Sequence, residues 1–196
     1  MHSYSAAAEK NKGSIGEVLK GAFADCRSVL EIASGTGQHA VYLGALMPYL
    51  TWQTSDLAGN LDEIRSRVDA EGGSNVLAPI ELDVAMTPWP VTRVDGIFAA
   101  NAVHIMSWGH VEALFAGLDN VLANGGVLAL YGAYKYDGAF TTESNANFDI
   151  WLKRCDPKSG IRDFEAVNEL ADNIGLALRA DHQMPSNNQL LIWQRG

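Results

Sequence analysis

The segment Val-Leu-Glu-Ile-Ala-Ser-Gly-Thr-Gly-Gln-His-Ala, residues 29–40, constrains the fold more than any other part of the chain. An apolar run enters a glycine-rich turn, and a helical pattern leaves it. Such a unit aims backbone N–H groups and the positive end of a helix at a ligand, with glycine where a side chain would block the approach. Gly35, Gly37 and Ala40 satisfy G-x-G-x-x-G/A, and Asp56 follows about 20 residues later, where an acid can hold a ribose diol. Several classes of nucleotide-cofactor binder share this pattern, and the same glycines also serve purely structural turns. The segment alone therefore does not name a ligand.

The rest of the chain repeats the rhythm of apolar run, Gly or Asp, then helical pattern, which is how a parallel sheet covered by helices on both faces reads in sequence. Strands are expected at 28–33, 51–55, 76–82, 94–100 and 127–131. Helices are expected at 38–47, at 111–122, and from Asn60 to the glycines at 72 and 73, with Asn60 and Glu63 in the form of a capping box. Two more are expected at 146–155 and 163–174, and a leading helix within residues 1–24. Residues 131–147 are rich in Gly, Tyr, Thr, Ser and Asn, which predicts a functional loop, so 132–160 is expected to form a lid or substrate region. Two extended runs, 176–183 and 189–194, are joined by Met-Pro-Ser-Asn-Asn and predict a closing antiparallel hairpin. No repeat or linker divides the chain, and residues 1–196 are expected to form one domain.

Charge narrows the function classes. With 14 Lys+Arg against 23 Asp+Glu and a net charge of -9, direct nucleic-acid binding is not expected, since that affinity comes largely from basic residues neutralising phosphates. Two cysteines are too few for a disulfide scaffold, no apolar run approaches a membrane span, and residues 1–14 carry no apolar signal core. The expectation is a cytoplasmic protein without a membrane partner, monomeric or homodimeric.

Further acids and amides fall at strand ends. Asp83 closes the third run, and the fourth ends in Ala-Ala-Asn-Ala-Val-His, which places Asn101 and His104 on the rim where ligands of open α/β sheets bind. Glu31 stands inside the first run, where an isolated carboxylate needs partners. Together, Glu31-Ile-Ala-Ser-Gly-Thr-Gly, Asp56, Asp83-Val84 and Asn101 resemble the class I S-adenosylmethionine-dependent methyltransferases. That resemblance implies a Rossmann-like fold, a seven-stranded mostly parallel sheet with the C-terminal antiparallel hairpin and helices on both faces. It implies S-adenosyl-L-methionine as cofactor, held by Glu31, Ala33, Ser34, Gly35, Gly37, His39, Asp56, Leu57, Asp83, Val84 and Asn101. Ala33 departs from the pattern, which often has glycine there. The phrases VLEIASGTGQHAVYL, WQTSD, ANAVHIMSW, LYGAY, SNANFD, GIRDFE and MPSNNQLL resemble more narrowly the methyltransferase-like 26 family, which implies no particular acceptor.

Methyl transfer from a sulfonium is an in-line displacement, so alignment and exclusion of water dominate, with a base only where the nucleophile carries a proton. Asn101 and His104 are the expected catalytic residues, His104 as base. Tyr4, Trp108, Tyr131, Tyr134, Asn145, Arg162 and Asn187 are the candidate substrate residues. Clustered aromatics would favour a cationic amine, and Arg162 a carboxylate or phosphate. No metal is expected, because no His, Asp or Glu cluster has chelating spacing. His2, His110 and His182 read as surface positions, and Arg67 as part of a charged helix face. The acceptor is expected to be a small molecule. Two alternatives stand beside this: a non-catalytic S-adenosylmethionine-binding protein, and an NAD(P)-dependent oxidoreductase, because Tyr131 and Lys135 form Y-x-x-x-K. In the oxidoreductases that pair lies on one helix face, whereas here Gly-Gly-Val-Leu-Ala-Leu places Tyr131 at a strand end.

Overall fold

The computed structural model describes residues 3–196; His2 lies outside them. Seven strands form the main sheet: β1 (Ser28–Ile32), β2 (Thr51–Asp56), β3 (Val76–Glu81), β4 (Val94–Ala100), β5 (Leu122–Gly132), β9 (Leu176–Met184) and β10 (Asn188–Arg195). Their order is β3-β2-β1-β4-β5-β10-β9. Neighbours from β3 to β5 are parallel, while β10 runs antiparallel to both β5 and β9. The expected strands and the closing hairpin are therefore present. Because β1 is flanked by β2 on one side and β4 on the other, the chain winds away from it in both directions, and a crevice opens at the carboxyl ends of β1 and β4.

Period-two alternation along the strands supplies two apolar faces. Val29, Trp52, Phe98, Ala129 and Ile192 pack under α1 (Ala6–Ala22), α2 (Gln38–Leu46) and α3 (Leu61–Glu71) through Ile15, Leu19, Leu43, Ile64 and Val68. Leu30, Ile97, Leu128, Leu191 and Trp193 pack on the opposite face against α4 (Trp108–Val121) and α6 (Phe164–Asn173). Among the described residues, no helix is long and apolar enough to cross a membrane.

Three local expectations are corrected. Asn60 forms no capping box: α3 is preceded by a short 3-10 turn, and the Asn60 amide instead donates to Asp56 Oδ1 at 2.8 Å. Helix α4 starts at Trp108 rather than Val111, because Ser107 Oγ accepts from the His110 N–H at 3.2 Å and caps it. The segment after β5 is not an open loop. Asp137 and Gly138, at φ 49 and 75, form a two-residue turn between β6 (Tyr134–Tyr136) and β7 (Ala139–Phe140), and α5 (Glu143–Cys155) follows. The Thr142 side chain accepts from Asn145 N and starts that helix earlier than its apolar spacing indicates. β6 also pairs with β8 (Arg162–Asp163), which ties the region to the start of α6.

Candidate active site

The turn after β1 is built from left-handed residues. Ala33, Gly35 and Gly37 have φ of 55, 58 and 73, and the Gly37 N–H closes the turn on Ser34 O at 2.8 Å. For Ala33 this conformation costs roughly 1 kcal/mol that glycine would not incur, so packing must hold it there. Arg67, expected on a solvated helix face, supplies part of that hold. It is buried, and its Nε donates to Thr36 O at 2.6 Å within the turn, one terminal nitrogen to Ser3 O at 2.7 Å, and the other to Glu71 at 2.9 Å.

Two carboxylates brace the turn from beneath. Asp56 Oδ2 accepts from Gly35 N at 2.7 Å, and Oδ1 accepts from Leu57 N and Asn60 Nδ2, each at 2.8 Å. A carboxylate has about four acceptor positions, so this one retains capacity for a further donor. Glu31 is 1% exposed; its Oε2 accepts from Ser34 Oγ at 3.1 Å and Trp52 Nε1 at 3.0 Å. Burial pushes its carboxyl up from 4.5 to about 7 against the lowering effect of these two donors.

A cleft of about 530 Å³ opens above the carboxyl ends of β1, β2 and β4. Ala33, Gly35, Asp56, Leu57, Asp83, Val84 and Asn101 all line it, as do Asn60, Leu82, Ile105, Met106 and Lys158, which sequence reasoning did not single out. His110, read as a surface position, is exposed but borders the same cleft. The walls combine an apolar slot of Leu57, Leu82, Val84 and Met106 with the acids Asp56, Asp83 and Asp156.

A second cavity of about 590 Å³ lies on the other side of Asn101 and is lined by α1, α5 and the β9–β10 turn. His104, Tyr131, Asn145, Phe148, Asn188, Lys10 and Asn11 border it, and Asn101 and Ile105 border both cavities. Asn101, a non-glycine residue at φ 56, ends β4 with its backbone N–H on Tyr131 O at 2.8 Å. The His104 ring is 3% exposed and meets Phe148 edge-on at 5.2 Å between centroids. It has this space because position 132 is glycine: a Cβ there would stand 3.2 Å from its Nδ1. Burial, aided by the Arg162 charge, pulls the His104 imidazole down from 6.5 to about 4, so it is neutral at ordinary pH. The Tyr131 hydroxyl accepts from Asn188 Nδ2 at 3.0 Å.

Several expected site residues lie outside both cavities. Ser34 and Gly37 shape the turn from behind, and Glu31 supports them. His39 is buried beside Phe98 and bonds Asn11 Oδ1 at 2.7 Å, which makes it a link between α2 and α1. Tyr134 is buried in the core, and Trp108, half-buried at the start of α4, packs against it, where apolar burial outcompetes display at the rim. Tyr4 is 66% exposed, away from either lining. The Arg162 guanidinium is spent on the carbonyls of Val103, Met106 and Lys158, so it braces the loop after β4 rather than gripping an anion. Asn187 contributes its backbone carbonyl to Asn145 Nδ2 at 2.9 Å instead of a side chain to the cavity. The Tyr131–Lys135 pair does not assemble either: Lys135 ion-pairs with Asp163 at 3.0 Å while Tyr131 faces Asn188.

Residues 2–195 match the model of a family described as protein of unknown function (DUF938). Among solved structures, an O-methyltransferase family protein from Burkholderia thailandensis is similar at 20% identity and TM-score 0.83, covering 94% of this chain and 56% of its own. An O-methyltransferase family 2 protein from Planctomyces limnophilus, solved as a complex with apigenin, is similar at 16% identity and TM-score 0.85, covering 97% and 58%. The O-methyltransferase NcsB1 from neocarzinostatin biosynthesis, solved with S-adenosylmethionine and 2-hydroxy-5-methyl naphthoic acid, is similar at 19% identity and TM-score 0.79, covering 97% and 55%. The chain thus spans a little over half the length of these proteins, and the likeness is one of fold.

Proposed function

We propose that this chain, which belongs to the DUF938 family, transfers a methyl group from S-adenosylmethionine to a small organic acceptor, as one catalytic unit of the methyltransferase-like 26 type. The observation that carries the proposal is the pair of cavities meeting at Asn101 and Ile105. A cofactor on one side and an acceptor on the other would face each other across a single residue.

The first cavity fits S-adenosylmethionine in shape and charge. Its apolar slot suits a flat adenine, Asp56 retains an acceptor position for a ribose hydroxyl, and the acids Asp56, Asp83 and Asp156 suit a cationic ligand. Ala33, Gly35, Asp56, Leu57, Asp83, Val84 and Asn101 would hold it. When bound, S-adenosylmethionine supplies a methyl whose bond to the sulfonium breaks as the acceptor takes it, leaving a neutral thioether. The protein's residues do the rest. Asn101 orients the acceptor, the apolar wall made by Phe148 limits water, and the neutral His104 ring accepts the proton that a hydroxyl acceptor must lose. The two neighbours solved with hydroxylated aromatic compounds support oxygen as the attacked atom.

Calorimetric titration with S-adenosylmethionine, S-adenosylhomocysteine and NAD(P) tests the reading. Binding of the first two is expected, and binding of NAD(P) alone would overturn it in favour of an oxidoreductase. Tight cofactor binding without S-adenosylhomocysteine formation in a metabolite extract would favour a non-catalytic binder.

A sharper expectation concerns His104. With its imidazole near 4, it stays in the accepting form above about pH 5 but is a weak base, so its contribution falls below the usual hundredfold or more of general-base catalysis, at roughly tenfold. His104→Ala should lower kcat by that factor, leave the Kd for S-adenosylmethionine within about twofold, and show no pH dependence between 5.5 and 8 that the parent lacks. Unchanged turnover would remove His104 as the base.

A further inference from the structure

We propose that the acceptor filling the second cavity is a small organic anion whose negatively charged group is held by Lys10; this rests on the methyl-transfer reading above. In a chain with 23 acidic residues, the lining of this cavity contains none, and Lys10 is its one formally charged side chain. The contrast with the first cavity, which presents three aspartates, divides the crevice into an acidic side suited to a cationic cofactor and a basic side suited to an anion.

The positive charge of Lys10 is not neutralised locally. Its neighbour on α1, Glu9, is drawn away: Oε1 pairs with Lys12 Nζ at 2.6 Å, and Oε2 accepts from Gln38 Nε2 at 3.3 Å. Among the described residues Lys10 forms no ion pair, whereas Lys12, Lys20, Lys135 and Lys153 each do. Nor does another cavity residue supply a negative charge. Burial raises the Tyr131 phenol above its ordinary value and so keeps it neutral. These features exclude the cationic amine that the aromatic residues alone would favour, because an ammonium here would meet Lys10 and find no carboxylate.

Lys10 is carried on a fixed element. The start of α1 is tied down where Ser5 N donates to Gln38 Oε1 at 2.6 Å and Arg67 donates to Ser3 O at 2.7 Å. The Phe148 ring, stacked on Trp151 at 5.9 Å, gives the cavity a flat apolar wall suited to the body of the molecule. The acceptor therefore has its anionic group at the α1 side, a flat apolar body, and its reacting atom beside Asn101.

The test uses the full chain with S-adenosylmethionine labelled on the methyl and a small-molecule extract separated at pH 7 into anionic, neutral and cationic fractions. Labelled product is expected from the anionic fraction. In that reaction Lys10→Ala should raise KM for the acceptor roughly tenfold and Lys10→Glu more, with kcat within about twofold, Lys10→Arg near the parent, and the Kd for S-adenosylmethionine unchanged. Product from only the neutral or cationic fraction, or a KM indifferent to Lys10→Glu, would overturn the anion proposal while leaving methyl transfer standing. Failure to bind S-adenosylmethionine, or binding without product from any fraction, would instead remove the methyl-transfer reading and this proposal with it.

Discussion

Asp56→Ala is expected to raise the Kd for S-adenosylmethionine by about a hundredfold, close to 3 kcal/mol, the largest effect of any single change at the first cavity. Two losses combine. The substitution removes the acceptor position proposed for the ribose, and it releases the glycine turn, because the Gly35 and Leu57 N–H groups and the Asn60 amide all converge on this one carboxylate. Each donor left without a partner where water cannot reach costs about 1–3 kcal/mol, so the melting temperature should fall as well. Asp56→Asn separates the two losses. The amide keeps one acceptor oxygen but not the charge, so stability should recover in part while cofactor affinity stays at least tenfold below the parent. Calorimetry and thermal melts of the two variants provide both readouts. An affinity within threefold of the parent for Asp56→Ala would show that this acid takes no part in cofactor binding.

The fold was legible where burial acts on whole segments. Apolar runs such as 94–100 announce strands covered on both faces, and the residues ending them, Ala33, Asp56, Asp83 and Asn101, reach the crevice because topology brings strand ends together. What could not be read depends on which partner a polar side chain finds. Asn60 has the spacing of a cap, but the Asp56 carboxylate, brought close by the turn after β2, takes its amide. Arg67 reads as a surface charge, yet the glycine turn and the start of α1 close over it. Arg162 is drawn to the carbonyls of Val103 and Met106, in a loop distant from it in sequence, and to that of Lys158 just before it. The missed signals that were local are the helix caps Ser107 and Thr142 and the turn Asp137–Gly138, which lies within a stretch whose polar composition resembles a loop. Lys10 had no signal at all, since its importance lies in the absence of acids from segments separated along the chain.

Stability should climb from pH 4.5 to about 7 and change little above that, because the buried groups flanking the glycine turn and the second cavity have shifted in opposite directions. The Glu31 carboxyl rises from 4.5 to about 7, so the native state holds a proton that the unfolded chain has released. That contribution is complete below about pH 4.5 and is lost as pH rises through 7, a change on the order of 3 kcal/mol in full. His39 and His104, both buried, fall from 6.5 to about 4. Their contributions are present above 6.5 and are lost as pH drops through 4. Between 4.5 and 6.5 the two histidines outweigh the one carboxyl, so stability climbs with pH; above 6.5 the last of the histidine gain and the last of the Glu31 loss nearly cancel, and stability levels off. Glu31→Gln isolates the carboxyl's share. Trp52 Nε1 and Ser34 Oγ converge on one oxygen of Glu31, so an amide carbonyl can accept both without the charge. From pH 4.5 to 6.5 the parent should gain about 2 kcal/mol, roughly 4–8 °C in melting temperature, and the variant about twice that, with both nearly level from pH 7 to 8.5. If the parent gains as much as the variant from pH 4.5 to 6.5, Glu31 is ionised in the folded protein at neutral pH. The turn would then be braced by two full negative charges rather than one charge and one neutral acid.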